Sequence, residues 1–538
     1  MPQPLRPLLF AFLALASTAA AQQAVTVNTV TVNTDRGPVV GRQTGALRTF
    51  FGIPFAAPPT GNLRWKAPQP AAAWTTPRDA GTFGNVCVQV TGVFDVPGET
   101  RGQVKGDEDC LYLNVYAPAG AAPNRPLPVM VWLHGGSFTL GSGSSYDAGV
   151  LAQKNGVVVV TLNYRLGALG FLALPSLNAE SGGASGNYGL QDQQAALRWV
   201  KGNIAAFGGD ARNVTLFGES AGGFSVCAQL ASPLAAGLFQ KAIIQSGLCA
   251  SPGNSVTAVG AARRNVAYAL RMGCRSTDLA CLRRLDPKTI VSTPVPGLRP
   301  LANLVWSPVY DTPLLPLSLG TAFARGAFNR VPLMIGSNRD EGRLFIALAG
   351  TGDKPVLPYQ YWGAAGLLVG ARNNPRVLAQ YPLRNYATPA LAFATVFTDA
   401  VFSCPALSVD AALSQYVPVY AFEFADPQAV TSIKSPSDLP GLGSSHSSSL
   451  VYVFQTPIVG LADPAQFSPG QRRLSDAFSR AWATFAKTGN PNTAGQPQWR
   501  PFDPARGNVQ IFTPSGISES TRFADDHKCA FWSGLALN

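Results

Sequence analysis

The residues through which this chain could do covalent chemistry are a glycine-framed serine, three histidines and a pair of adjacent acids. Ser220 stands in NVTLFGESAGGFSVCAQLAS (213–232), with Gly218 two residues before it and Gly222 two after. The stretch reads as a strand (214–217), a five-residue turn and a helix. In such a tight strand-to-helix turn a Cβ at either glycine position would collide, and the serine is held out at the tip. The pattern G-x-S-x-G is permissive in a chain with 54 glycines, and an ordinary Gly-rich turn with a helix-capping serine satisfies it equally well. A serine nucleophile also needs a base, most often histidine. His134 lies in LHGGSF, where the two following glycines point to a role for the backbone rather than the ring. His527 lies in DDHKCAFW near the chain end, where a surface or packing role is expected. His446, in the polar stretch GLGSSHSSSL after the apolar run 417–424, can reach an elbow and is the candidate base. The base in turn needs a carboxylate to fix its tautomer and stabilise the imidazolium. SNRDEGRLF offers Asp340 and Glu341 in the chain order serine, acid, histidine, and spacing does not choose between them. Gly135 and Gly136 after the run 127–133, with the Ala221 N–H from the elbow itself, can donate to a developing alkoxide. Together these parts point to acyl transfer through an ester on Ser220, with no metal and no cofactor.

Such parts must be held by rigid elements. Short apolar, β-branched runs recur at 127–133 (LPVMVWL), 157–162 (VVVVTL), 214–217, 241–244 (KAII), 331–335 (VPLMI) and 417–424 (VPVYAFEF), with helix-compatible segments such as 190–207 between them. Near-continuous hydrophobic strands alternating with helices predict an α/β fold with a mostly parallel central sheet, helices on both faces and large loop insertions. In that architecture chemistry collects at the carboxyl ends of the strands, where Ser220, the acids and the 134–136 loop all fall. Residues 22–47 predict a hairpin turning at 35–38. The Pro- and Gly-rich stretch after it should be an ordered loop whose Phe51, Phe55, Trp65 and Trp74 pack down. No repeat or low-complexity linker divides the rest, so 22–538 reads as a single catalytic domain.

Composition narrows the setting. The opening segment carries one basic residue, Arg6, an apolar run over 8–16 and the small-residue exit Ala19-Ala20-Ala21, the layout of a signal peptide over 1–21. No later stretch looks long and apolar enough for a membrane span. Eight cysteines in an exported chain fit disulfides in an oxidising compartment, secreted or periplasmic. The formal charge of +12 comes from scattered residues that form no basic stripe, so nucleic acid is not an expected partner and the charge is read as serving solubility.

Taken with FGIPFAAPPTGNLRW, DEDCLYLNVYAP, NYRLGALGFL, LFQKAIIQSG, SNRDEG and FAKTGNPN, these motifs recur in order from about Gly37 to Trp532. The chain resembles the type B carboxylesterases, the cholinesterase-like branch of the α/β-hydrolase fold. The resemblance implies Ser220 as nucleophile, Glu341 as triad acid and His446 as base, with an oxyanion hole from Gly135, Gly136 and Ala221. It also implies disulfides Cys87–Cys110, Cys274–Cys281 and Cys404–Cys529, which leaves Cys227 and Cys249 as free buried thiols or as a fourth bridge; export favours the bridge. There are two departures. The family has Gly-x-Glu after the base, where this chain has Ser447-Ser448-Ser449. Nor does any tryptophan lie between Cys87 and Cys110 to bind a quaternary ammonium, so choline esters are poor candidate substrates. The expected substrate is a small carboxylic ester. Related hydrolases of amides, thioesters or aromatic polyester fragments are the alternatives, and a non-catalytic binding protein the remote one, since that branch loses the serine or histidine kept here.

Overall fold

The apolar runs form strands buried on both faces. In the computed structural model, which describes residues 27–92, 102–183, 185–251, 256–296, 304, 306–349 and 354–535, one large sheet carries the fold. The leader 1–21 and its cleavage point lie outside the described residues. The strands are β1 (Val27–Asn33), β2 (Pro38–Thr44), β3 (Leu47–Pro54), β4 (Tyr112–Pro118), β5 (Leu127–Leu133), β6 (Val158–Leu162), β7 (Gly209–Glu219), β8 (Lys241–Gln245), β9 (Leu333–Asn338), β10 (Val419–Phe424), β11 (Val509–Thr513) and β12 (Gly516–Ser520). Their spatial order is β1-β2-β3-β4-β6-β5-β7-β8-β9-β10-β11-β12.

The sheet is parallel from β6 through β11 and antiparallel at both margins, apart from a two-residue strand, Arg78–Asp79, that pairs in parallel with β2. The margins follow from their connections: Gly45 and Ala46 alone join β2 to β3, too short for the crossover a parallel pair needs. "Mostly parallel" thus describes the centre, and the N-terminal hairpin turning at 34–37 opens an antiparallel flank. Strand β7, which ends at the elbow, lies between β5 and β8, with Leu216 beside Val131 and Ala242.

Alternation along the strands covers both faces. Val129, Val131 and Leu133 join one core with Leu216, Ile244 and Ile335, while Met130 and Trp132 join the other with Phe217, Ile243 and Phe422. Helices α1 (Tyr188–Asn203) and α2 (Ala221–Ala231) pack on the first side, where α2 is buried along its whole length. On the elbow side of the sheet follow α3 (Gly342–Leu348), α4 (Pro389–Phe397), a π-helical turn (Thr398–Ser403) and α5 (Cys404–Leu413). The short α6 (Leu450–Phe454) and the long α7 (Pro469–Thr488) belong to the second core, with Phe478 and Trp482 of α7 fully buried. A capping box of Ser468 and Gln471 starts α7, and Gly489, in the left-handed conformation, ends it.

The continuous helical run Pro389–Leu413 is long and apolar enough to cross a membrane, contrary to the reading from sequence, but most of it is buried inside the fold. A core helix flanked on both sides meets the same compositional test. Four disulfides tie the loops: Cys87–Cys110, Cys227–Cys249, Cys274–Cys281 and Cys404–Cys529. Phe55 and Trp65 are buried and Phe51 and Trp74 half-buried, as expected of the Pro-rich stretch.

Candidate active site

Ser220 sits between β7 and α2 with φ 57° and ψ −122°, a left-handed conformation costly for a side-chain-bearing residue. Both neighbours that make the turn must be glycine. A Cβ on Gly222 would lie 1.9 Å from the Leu133 carbonyl oxygen, and one on Gly218 would lie 2.5 Å from the Gly222 carbonyl carbon. The Ser220 N–H donates to the Gln245 carbonyl at 3.0 Å, and its own carbonyl accepts from Phe224 N–H at 2.8 Å to open α2. Glu219 and Ala221 are buried, whereas Ser220 itself is partly exposed.

Glu341 and His446 meet. Nδ1 of His446 lies 2.5 Å from Glu341 Oε2, with both side chains buried. Glu341 is itself fixed: its Oε1 accepts the Ser246 hydroxyl at 2.5 Å and the Asn338 N–H at 2.7 Å. With Nδ1–H donating to the carboxylate, Nε2 is the nitrogen left to handle a proton. The ring packs beside Phe345 of α3 and Phe402, with centroids 5.0 and 4.9 Å away. Burial opposes charging the imidazole, yet the Glu219 and Glu341 carboxylates outweigh it and hold its pKa above the ordinary value. Asp340, the neighbouring acid, is engaged elsewhere, with Arg343 at 2.7 Å and the Ser444 N–H at 3.0 Å. The stretch around His446 is polar in sequence, yet its serines 444, 445, 447, 448 and 449 are all buried.

Gly135 and Gly136 lie against the elbow. A Cβ on Gly135 would fall 3.1 Å from Ser220 Cβ, and Gly136 adopts φ 108°. Among the described residues, the N–H groups of Gly135, Gly136 and Ala221 donate to no backbone carbonyl. His134 supports this loop: its ring stacks on Tyr164 at 4.3 Å, its carbonyl accepts the Tyr164 hydroxyl at 2.8 Å, and its Nδ1 lies 2.8 Å from the Gly135 carbonyl oxygen. Complete burial pushes the His134 pKa down to about 4, so the ring is neutral at pH 7.

Three residues make contacts at the site that the sequence reading did not assign. Glu219, inside the elbow pentapeptide, brings Oε1 to 3.3 Å from His446 Nε2 and accepts the Ser447 hydroxyl at 2.8 Å. Ser447 occupies the glycine position of the family's Gly-x-Glu with φ 67°. Ser246, in the QSG motif at the carboxyl end of β8, holds Glu341; the rule that chemistry collects at strand ends could have found it. Beside Glu219 and Ser447 opens a small cavity of about 70 Å³, also lined by Gly135, Gly136, Tyr146 and Lys105. Of the surface and packing roles expected for His527, the structure shows the packed one: it is buried, with Nδ1 2.6 Å from Asp399 and Nε2 2.9 Å from Glu423. Among the described residues, no group of three or more His, Cys, Asp or Glu side chains is arranged to hold a metal ion.

A strained serine on a glycine-bounded turn at the carboxyl end of a central parallel strand, whose neighbour Glu219 contacts a buried histidine–carboxylate pair, defines an α/β-hydrolase. The chain belongs to the carboxylesterase family, whose model matches residues 28–532, and is a carboxylic ester hydrolase. It is 38% identical to the para-nitrobenzyl esterase of Bacillus subtilis (strain 168), covering 86% of this chain and 90% of that protein. It is 34% identical to carboxylesterase 1D of Rattus norvegicus, over 94% of this chain and 93% of that one. The fumonisin B1 esterase of Sphingopyxis macrogoltabida is 36% identical, over 89% and 86% of the two chains. Among solved structures, a thermophilic PNB esterase superimposes with a TM-score of 0.79 at 33% identity, over 93% of this chain and 99% of that one.

Proposed function

We propose that this protein is an exported serine carboxylesterase that cleaves small carboxylic esters through an acyl-enzyme on Ser220. Ser220 Oγ attacks the ester carbonyl carbon and passes its proton to His446 Nε2, while Glu341 holds Nδ1–H and stabilises the imidazolium. The alkoxide is received by the N–H groups of Gly135, Gly136 and Ala221. The intermediate then collapses, the alcohol leaving with the proton from Nε2. Water, deprotonated by the same nitrogen, attacks the acyl-serine and releases the acid. The observation that carries this reading is the 2.5 Å contact of Glu341 with Nδ1 of His446, the residue that also approaches the elbow through Glu219. Removing one alkoxide donor typically costs on the order of 10²- to 10³-fold in turnover.

The same reading places residues 22–538 in one catalytic domain behind a leader cleaved after Ala21. Four disulfides support an oxidising compartment, extracellular or periplasmic. The cavity next to Glu219 presents Lys105 and no tryptophan among its described walls, which supports a neutral alcohol group over choline. The test is hydrolysis of short p-nitrophenyl esters by the mature protein, with stoichiometric labelling by a fluorophosphonate. Failure of both sinks the proposal.

A further inference from the structure

The nitrogen that must accept the Ser220 proton has a competitor. Glu219 Oε1 lies 3.3 Å from His446 Nε2, so a protonated His446 is held between two carboxylates, Glu341 on one nitrogen and Glu219 on the other. That favours the imidazolium, the form that cannot act as a base. The same Oε1 accepts the Ser447 hydroxyl at 2.8 Å. Ser447 makes this bond from a backbone φ of 67°, at a position where glycine would be free of strain. A side chain retained under strain, with its hydroxyl aimed at a buried carboxylate, implies that the bond has a use.

We infer that Ser447 is a positioning residue for ester hydrolysis: its hydroxyl occupies the Glu219 oxygen that would otherwise clamp His446 Nε2, and so keeps the base available near neutral pH. The inference rests on the reading of His446 as base. The charged and titratable groups around the pair are Glu341 from the turn after β9, Glu219 itself, Tyr146, which lines the same cavity and feels the Glu219 charge, and Lys105 across that cavity. The backbone N–H of residue 447 also faces Glu219 and remains in a glycine variant; without the Ser447 hydroxyl the Glu219–His446 pair holds its shared proton more tightly, whichever partner carries it. The sign is therefore the same for either distribution of the proton: activity sets in at higher pH. Without the Glu219 charge the imidazolium loses a partner and activity sets in at lower pH.

The experiment is a pH profile of kcat/KM on p-nitrophenyl acetate for the full mature chain, with Ser447→Gly, Glu219→Gln and the double variant. Glycine accepts the left-handed backbone, so Ser447→Gly is not expected to unfold the loop, and thermal unfolding of each variant checks this. The acid limb of Ser447→Gly should move up by on the order of half a pH unit, since a hydrogen bond is lost but no charge. The limb of Glu219→Gln should move down by about one pH unit, as when a nearby opposite charge is removed. In the Glu219→Gln background the Ser447 substitution should then have no further effect on the limb. A Ser447→Gly limb that coincides with the parent's, or one that moves equally with and without the Glu219 charge, overturns the inference. In either case a parent enzyme that turns over with a titrating acid limb leaves the esterase reading standing, whereas a parent without turnover refutes that reading itself.

Discussion

Replacing His527 by glutamine removes a buried cation that is held between two carboxylates, and the loss should depend on pH. His527 Nδ1 faces Asp399 and Nε2 faces Glu423, while Glu423 also takes Arg339, the residue preceding Asp340 and Glu341. The clamp therefore ties the C-terminal segment to β10 and to the turn that carries Glu341. Burial opposes charging this imidazole, but hydrogen bonds to Asp399 and Glu423 outweigh it and raise its pKa from 6.5 to about 9. At 1.36 kcal/mol per pH unit, that rise is worth about 3 kcal/mol of folding stability. Because the folded-state pKa is the higher one, the contribution is complete below about pH 6.5, declines as pH rises, and is gone above about pH 9. In a chain of this size 1 kcal/mol moves the unfolding temperature by about 1 °C. Thermal unfolding of parent and His527→Gln followed from pH 6 to 10 should show a gap that narrows by about 3 °C across the range. A gap that stays constant with pH would mean that His527 contributes packing alone, and one that widens would reverse the reasoning.

Glu341→Gln should cripple turnover while Asp340→Asn stays mild, because of these two acids only Glu341 touches His446; steady-state kinetics on both variants decide it, and the reverse order would move the acid to Asp340. Gly222→Ala should fail to give active enzyme, since its Cβ would lie 1.9 Å from the Leu133 carbonyl oxygen; soluble yield and turnover are the readouts. Breaking Cys227–Cys249 by Cys249→Ser should lower stability by about 3 kcal/mol, as expected for opening a loop of 22 residues, measured by denaturant unfolding without reductant. The acid limb of the parent's turnover should be centred above pH 6.5, because the carboxylates around His446 raise its pKa from that value; a pH profile of kcat checks this.

What the sequence made legible was local. The two glycines around Ser220 announce an elbow because their spacing reflects a steric demand within five residues. The apolar runs announce buried strands because burial on both faces leaves no polar alternation to read. Choosing Glu341 over Asp340 needed the resemblance to known esterases, for adjacent acids have the same sequence context and differ only in where the turn after β9 points them. Glu219 and Ser447 were invisible for a related reason: they are 228 residues apart, and nothing in either neighbourhood encodes the meeting. The His527 clamp could not be read because a polar DDHK stretch near a terminus leaves surface and packing roles open, whereas Asp399 and Glu423, which bury it, arrive from a π-helical turn and a strand far upstream. The antiparallel flank was legible at its N-terminal hairpin, because the short connections there leave no room for a crossover.

The central claim is that Ser220 carries the acyl group. Mature protein treated with a fluorophosphonate and digested should yield one modified peptide, spanning the elbow, with the adduct on Ser220. Ser220→Ala should lose both the label and roughly six orders of magnitude in turnover of p-nitrophenyl acetate. An adduct on another residue, or turnover that survives in Ser220→Ala, would contradict the account.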